Sequence, residues 1–336
     1  MAAALTAGTL LLARRWSGEG FELAGFLHSM AGADWRWILA AWLLGLASYC
    51  GRALRWMVLL RPLAPTARLS QLFRSTAIGF SAVVLVGRPG ELVRPWLIAR
   101  SSGVPFASQM AIWLIERIYD TLTVLALFGY SLAVVTHGTR TVGPTLHWVL
   151  QQGGWIAGIT STLCLAVLVL LQSHADLLER RLVGALGLLQ AHHQERLSKL
   201  IRSMVEGLRT AQSPRATLLL VLYTAVEWFI IYLCYLCIFR AFPETTALST
   251  PDVLAYIGFV AFGSIIQLPG IGGGFQLVSV VVLTELFRIG LEPAAGIALI
   301  SWVVALVGIV PLGVGLAIAE GFSWRRMLEI EKEADA

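Results

Sequence analysis

Two short stretches carry residues whose types and spacing could do chemistry. "LVGRPGELVRPW", Leu85 to Trp96, sets Arg88, Glu91 and Arg94 three residues apart around the helix breakers Gly87, Pro89 and Gly90. Pro95 fits only the first turn of a helix, so a short helix is expected to start close to Arg94. Free N–H groups and the helix dipole at such a start favour an anion, and a phosphate group is the natural candidate. The same residues would equally make a turn at a membrane surface whose arginines meet lipid headgroups. "IERIYD", Ile115 to Asp120, places Glu116 and Asp120 at i, i+4 and Arg117 and Asp120 at i, i+3. One pair can form within the helix, so at least one carboxylate needs a partner elsewhere, with Arg88 and Arg94 as candidates. A purely structural ion network is an equally open reading.

These charges sit in a chain built for lipid. Of 336 residues 57% are hydrophobic and 13% charged, against roughly a quarter charged in an ordinary soluble domain. The composition implies an all-α polytopic membrane protein, a single transmembrane domain over 1–336. The net charge of +5 rests on arginine, with only two lysines, and reads as loop charge that orients helices. It is not a nucleic-acid footprint, because no basic stripe with interleaved aromatics appears.

A transmembrane helix needs about 20 mostly apolar residues. Spans are expected over Arg36 to Leu60, Ser108 to Val135, Trp155 to Leu171, Ala216 to Phe239 and Ala294 to Ala319, and residues 1–13 make either a short first helix or a late start. That gives about six full spans. Two further apolar stretches break in their middles, at 70–103 and 252–289, into halves of about 8 to 17 residues, too short to cross alone. They read as re-entrant or broken-helix hairpins. Basic residues from Arg180 to Arg215 place the linker 173–215 in the cytoplasm, and Arg325, Arg326 and Lys332 do the same for the tail 321–336. The first hairpin then enters from the cytoplasm and the second from outside. Glu91 precedes Glu116, and Gln276 precedes Ser301, by the same spacing, so the hairpins are expected to be inverted repeats meeting at a substrate cavity. Within the linker, Leu197, Leu200, Ile201, Met204, Val205 and Leu208 recur at helical spacing, an amphipathic helix on the inner leaflet or under the bundle.

Further candidates are weighed against plain packing. In "LPGIGGGFQ" the glycines, Gly272 and Gly273 among them, allow close backbone approach, and Gln276 is the one polar side chain; ligand contact and hairpin packing stand about even. Glu227, in the middle of "LYTAVEWFIIYL", has no basic residue within a turn or two. It is expected to be a neutral acid hydrogen-bonded across helices or, alternatively, a proton-coupling carboxylate. Arg52 and Arg55 are expected to snorkel to phosphates. Cys234 and Cys237 form a Cys-x-x-Cys with purely lipophilic flanks and no nearby His, so they read as apolar helix residues. No metal site and no cofactor is implied, and hydrolase motifs are absent from the sequence.

At these residues the sequence resembles a known family. "RALRWMVLL", "RSTAIGFSAVVLVGRPGELVRPWLIARSSGV", "IERIYD" and "LPGIGGGFQ", in this order, look like the transmembrane flippase domain of lysylphosphatidylglycerol synthases and its stand-alone relatives, over nearly the whole chain. The resemblance implies a multi-pass protein of the bacterial inner (plasma) membrane that moves a phospholipid or lipid-linked anionic substrate between leaflets. It places Arg88, Glu91, Arg94, Glu116, Arg117 and Asp120 in a charged core and Pro269, Gly272 and Gly273 in a second break. Members often carry Glu where Gln276 stands. With the chain ending at Ala336, the soluble aminoacyl-transfer domain of the full synthase is not expected, nor is lysine transfer. The expected partners are membrane lipids, anionic phospholipid or polyprenyl-phosphate-linked molecules, and a homo-oligomer is possible. The alternatives are a membrane-embedded glycosyltransferase or other transferase using a lipid-phosphate donor, with Glu91 or Asp120 as base, and a non-catalytic subunit of an envelope complex.

Overall fold

The computed structural model describes residues 22–137, 158–167, 191–211, 213–264, 267–268 and 272–321. The apolar opening 1–13, Pro269, the linker up to 190, most of the tail 321–336 and the ends of the span expected over 155–171 lie outside the described residues. Helices α1 (Leu23–Ala31), α2 (Trp35–Leu60), α3 (Leu69–Val86), α4 (Val93–Ser102), α5 (Phe106–His137), α6 (Gly158–Val167), α7 (Ala191–Arg209) and α8 (Pro214–Ala241) follow in chain order. They continue with α9 (Thr250–Gly263), α10 (Gly274–Val281), α11 (Leu291–Ala305) and α12 (Val310–Ala319), and a two-residue antiparallel ladder pairs Gln267 with Gly273 and Leu268 with Gly272. Apart from that ladder the described chain is all-α, and it is an integral membrane protein.

Among the described residues, α2, α3, α8 and the stretch Leu291–Ala319 are long and apolar enough to cross a bilayer. Two of these differ from the expectation. α3 is not too short to cross: it starts at Leu69, where Gln71 Oε1 accepts the Arg68 N–H at 3.3 Å, and its 18 residues rise about 27 Å. Leu291–Ala319 is not one unbroken helix. α11 stops at Ala305, and a 3-10 turn over Val307–Ile309 precedes α12. Pro311 is the cause, because it lacks an N–H and its ring excludes the carbonyl four residues back, that of Val307.

The chain forms two compact units, one from 1–44, 124–158 and 232–305, the other from 45–123, 159–231 and 306–336. α2, α5 and α8 each contribute to both, and the Leu306 break falls where the chain changes unit. In the second unit the chain leaves α3 at Gly87, makes a 3-10 turn over Arg88–Leu92 and returns as α4, packed against α3. The two arms touch backbone to backbone: a Cβ on Gly79 would lie 2.5 Å from Arg94 Cβ. α12 packs on α3 too, where Ser81 Oγ donates to the carbonyls of Ala77 (2.8 Å) and Ile309 (3.3 Å). Trp56, Leu59, Leu60, Leu72, Ile98, Ile112 and Leu208 form one buried cluster of this unit. The last turn of α7 joins it through Leu208, and Val205 is buried as well, whereas Leu197, Leu200 and Met204 stay exposed, so the amphipathic helix is held at one end.

In the other unit, α9 and α10 form a second packed pair across the short ladder. Here a Cβ on Gly263 would lie 2.6 Å from Val278 Cγ2. Glycine and the residue it accommodates are 15 positions apart in both hairpins, Gly79 with Arg94 and Gly263 with Val278. Tyr256 and Ser279 share a hydrogen bond of 2.5 Å between α9 and α10, and Tyr235, Phe239 and Tyr256 pack edge to face around it.

The contact of α12 with α3 yields a stability prediction. A Cβ on Gly313 would collide with Ser81 Oγ and the Ala77 carbonyl, both held in place by helix packing, whereas one on Gly315 would meet nothing within 4 Å. Gly313→Ala should therefore destabilise the detergent-purified protein by about 1–3 kcal/mol, read as a lowered melting temperature. Gly315→Ala should leave melting unchanged or slightly raise it.

Candidate functional site

Arg55, on α2, is fully buried, and all five of its N–H donors are engaged. Nε and Nη2 donate to Glu116 Oε1 at 3.2 and 2.8 Å, Nη2 and Nη1 to Asp120 Oδ2 and Oδ1 at 3.1 and 2.6 Å, and Nη1 to Thr224 Oγ1 at 3.2 Å. Helical spacing makes this possible. Glu116 and Asp120, one turn apart on α5, present a stacked pair of carboxylates to one guanidinium, while Thr224 and Glu227, three apart on α8, approach it from a third helix.

Three further arginines surround this centre. Arg94 Nη1 lies 2.7 Å from Glu116 Oε2, its Nη2 donates to the Arg52 carbonyl at 3.1 Å, and its guanidinium stacks 4.2 Å from the centre of the Trp56 ring. Trp56 is itself fixed by donating Nε1–H to Gln109 Oε1 at 3.0 Å. Arg117 Nη2 lies 2.9 Å from Asp120 Oδ2, the intrahelical pair anticipated from spacing. Arg52 Nη2 lies 2.9 Å from Glu227 Oε1, and Arg55 Nη1 3.4 Å from Oε2. Neither Glu227 oxygen accepts a well-aligned hydrogen bond, so these contacts are electrostatic. Among the described residues four guanidiniums thus face three carboxylates, an excess of one positive charge. Arg117 is the accessible member, its side chain 33% exposed, and Arg52 follows at 16%.

Several site expectations change. Arg94 does find Glu116, yet Arg88 and Glu91 do not cluster with it: they pair with each other at 2.6 Å, with the Arg88 side chain 51% exposed. The 3-10 turn separates them by carrying Arg88 outward while Arg94 faces Gly79. The N-terminus of α4 is also not free, since the Val93 N–H bonds to the Gly90 carbonyl and the chain enters α4 already helical. Glu227 is not alone: its partners come from α2, a helix remote in sequence, which is why counting neighbours along α8 missed them. Arg52 and Arg55 do not snorkel, because three carboxylates in the interior compete successfully with headgroups. These two arginines and Thr224 were overlooked as site residues, and the available signal was the pairing of a surplus of intramembrane Arg on one helix with a lone acid on another.

Gly272, Gly273 and Gln276 belong to the other unit. Gly273, at φ 111°, precedes α10, and its N–H donates to Gln276 Oε1 at 2.7 Å, so this side chain caps its own helix.

Fold and site together define an all-α integral membrane protein with an ionic network buried in one of its two units. The chain belongs to the family described as the lysylphosphatidylglycerol synthase TM region, whose model matches residues 1–313. No curated protein and no solved structure is significantly similar to it.

The network and the surface pair differ in their energetics. Removing one partner from a buried, fully bonded ion pair costs about 3–5 kcal/mol, whereas an exposed pair contributes about 0–1 kcal/mol. Arg55→Met should lower the melting temperature steeply or abolish folding, and Arg88→Met should change it little. Arg55→Met combined with Glu116→Gln should cost less than the sum of the two single changes, a coupling readable in a double-mutant cycle.

Proposed function

We propose that the protein is a lipid flippase or lipid transporter, moving an anionic phospholipid or a lipid-phosphate-linked molecule between leaflets. The observation that carries this reading is the charge excess of the Arg55 network. Charges inside a membrane protein are costly and are retained where they hold one another or meet a substrate. Here the three carboxylates are all engaged, and one positive charge is left for an anion to neutralise. A phosphate suits it, because guanidinium pairs with phosphate through charge-assisted, often bidentate hydrogen bonds. Membership of a membrane family connected with lipid synthesis supports the same substrate class.

In this reading Arg117 and Arg52 meet the phosphate, while Arg55, Arg94, Glu116 and Asp120 hold them in place. Glu227 is the group through which a proton could act: neutralised, it would raise the excess to two positive charges and tighten anion binding. Arg88 and Glu91 form an exposed pair at headgroup level, and Gly272, Gly273 and Gln276 shape the turn of the other hairpin. In the same reading the protein lies in the bacterial inner membrane, as the family resemblance implies, and the basic residues of the linker 173–215 and the C-terminal tail support a cytoplasmic side for both.

Reconstitution tests the proposal with a substitution that spares the fold. Arg117→Gln removes the accessible charge of the network and should leave the melting temperature within about a degree or two. In liposomes carrying a fluorescent phosphatidylglycerol, its leaflet exchange, read by chemical quenching of the outer leaflet, should be slower than wild type by about tenfold, the scale of one charged hydrogen bond. An exchange rate equal to wild type would overturn the role given to the network.

A further inference from the structure

Apart from the ion network, the second unit carries an open pocket of about 430 Å³. Gln71, Arg74 and Ser75 from the start of α3 line it, with Arg100 and Ser101 from the end of α4 and Glu320 directly after α12. Its depth follows from the helices that build it. α3 and the stretch ending at Ala319 are both apolar enough to cross a bilayer, they pack against each other, and the cavity lies beside the first turns of one and just past the last turn of the other. That is where hydrocarbon gives way to headgroups.

The lining has the chemistry of an anion receptor. Two guanidiniums, two hydroxyls and an amide outnumber one carboxylate. Gln71 uses its carbonyl oxygen on the Arg68 N–H, which leaves its NH₂ as a donor. Arg100 is steadied by Trp96, whose ring centre lies 5.4 Å from its guanidinium carbon. Arg74 is held only loosely, 3.9 Å from Glu320 Oε1, with both side chains substantially exposed. A pair of that length and exposure is readily exchanged for a better acceptor. The volume lies within the range of small-molecule pockets and exceeds what a lone water needs.

We propose that this cavity binds a phosphate group, that of an anionic phospholipid headgroup or of free phosphate, between Arg74 and Arg100. Binding draws Arg74 away from Glu320, and the Ser75 hydroxyl and the Gln71 amide take the remaining phosphate oxygens, while the Ser101 hydroxyl donates to the Ile98 carbonyl at 3.3 Å. The site goes beyond the transport reading, because it is a binding equilibrium whose residues lie outside the Arg55 network.

Purified full-length protein in mixed micelles tests it, with bound lipid counted by native mass spectrometry. Phosphatidylglycerol should be retained at least tenfold better than phosphatidylcholine of the same chains. Arg74→Gln/Arg100→Gln should lose that preference tenfold or more, and Glu320→Gln, which removes the competing carboxylate, should strengthen it severalfold. Inorganic phosphate is titrated in parallel by calorimetry. Binding of phosphate alone as tightly as the lipid identifies free phosphate as the ligand, and tight binding only with acyl chains identifies the headgroup; both support the site. Equal retention of the two lipids, or a preference untouched by the double substitution, would overturn it. Leaflet exchange measured on the same double variant is a separate readout, so the transport reading can fail while the site stands, and the reverse.

Discussion

A guanidinium taken out of water must find acceptors for every N–H or it will not stay buried, and Arg55 is the point at which this requirement organises the second unit. Its five donors are met by residues of α5 and α8, and its charge by carboxylates on the same two helices. No single segment could supply that set, so the network forms only when α2, α5 and α8 are together. Arg94 then brings the hairpin arm α4 to the same carboxylate that Arg55 holds. Packing follows the same logic, since Trp56 serves both as core and as the aromatic platform under Arg94.

The hairpins solve a different problem, that of returning a chain through a packed interior. A second helix arm can lie directly on the first only where one of them carries no side chain, and Gly79 and Gly263 supply that gap in the two units. The common spacing of 15 residues suggests one device used twice, while the chemistry around it differs. In one hairpin the accommodated residue is Arg94, which carries charge into the interior. In the other it is Val278, beside a hydroxyl pair of Tyr256 and Ser279. Charge is therefore concentrated in one hairpin, and the other turn is closed by Gln276 capping its own helix.

In the proposed transport reading, the protein must lower the cost of moving a phosphate through hydrocarbon without binding it so tightly that it stays. The arrangement around Arg117 fits that reading: its charge is partly balanced by Asp120 and partly exposed, and Asp120 is also held by Arg55. The cavity beside Arg74 and Arg100 is built on weaker restraints, a loose ion pair and a stacked arginine. In the proposed reading such a place loads and releases a headgroup at the membrane boundary, whereas the buried network is tied by many short contacts.

Composition, apolar run lengths and the glycine and proline breaks were enough to read an all-α membrane protein, the quoted motifs carried the resemblance to its family, and the spacing in "IERIYD" was enough to read the Arg117–Asp120 pair. These are local properties, set by helix period and by the price of exposing backbone to lipid. Partner choice was not local. Whether Arg94 turned inward or joined Arg88 depended on Gly79 lying opposite it, and whether Glu227 stood alone depended on α2 reaching it from 175 residues away. Arg55 read as a headgroup anchor because an arginine near a helix end can snorkel, and only the packing of α5 and α8 decided that it would not. Charges act through space, so the sequence by itself determined which residues needed partners, and the tertiary structure alone decided which ones they found.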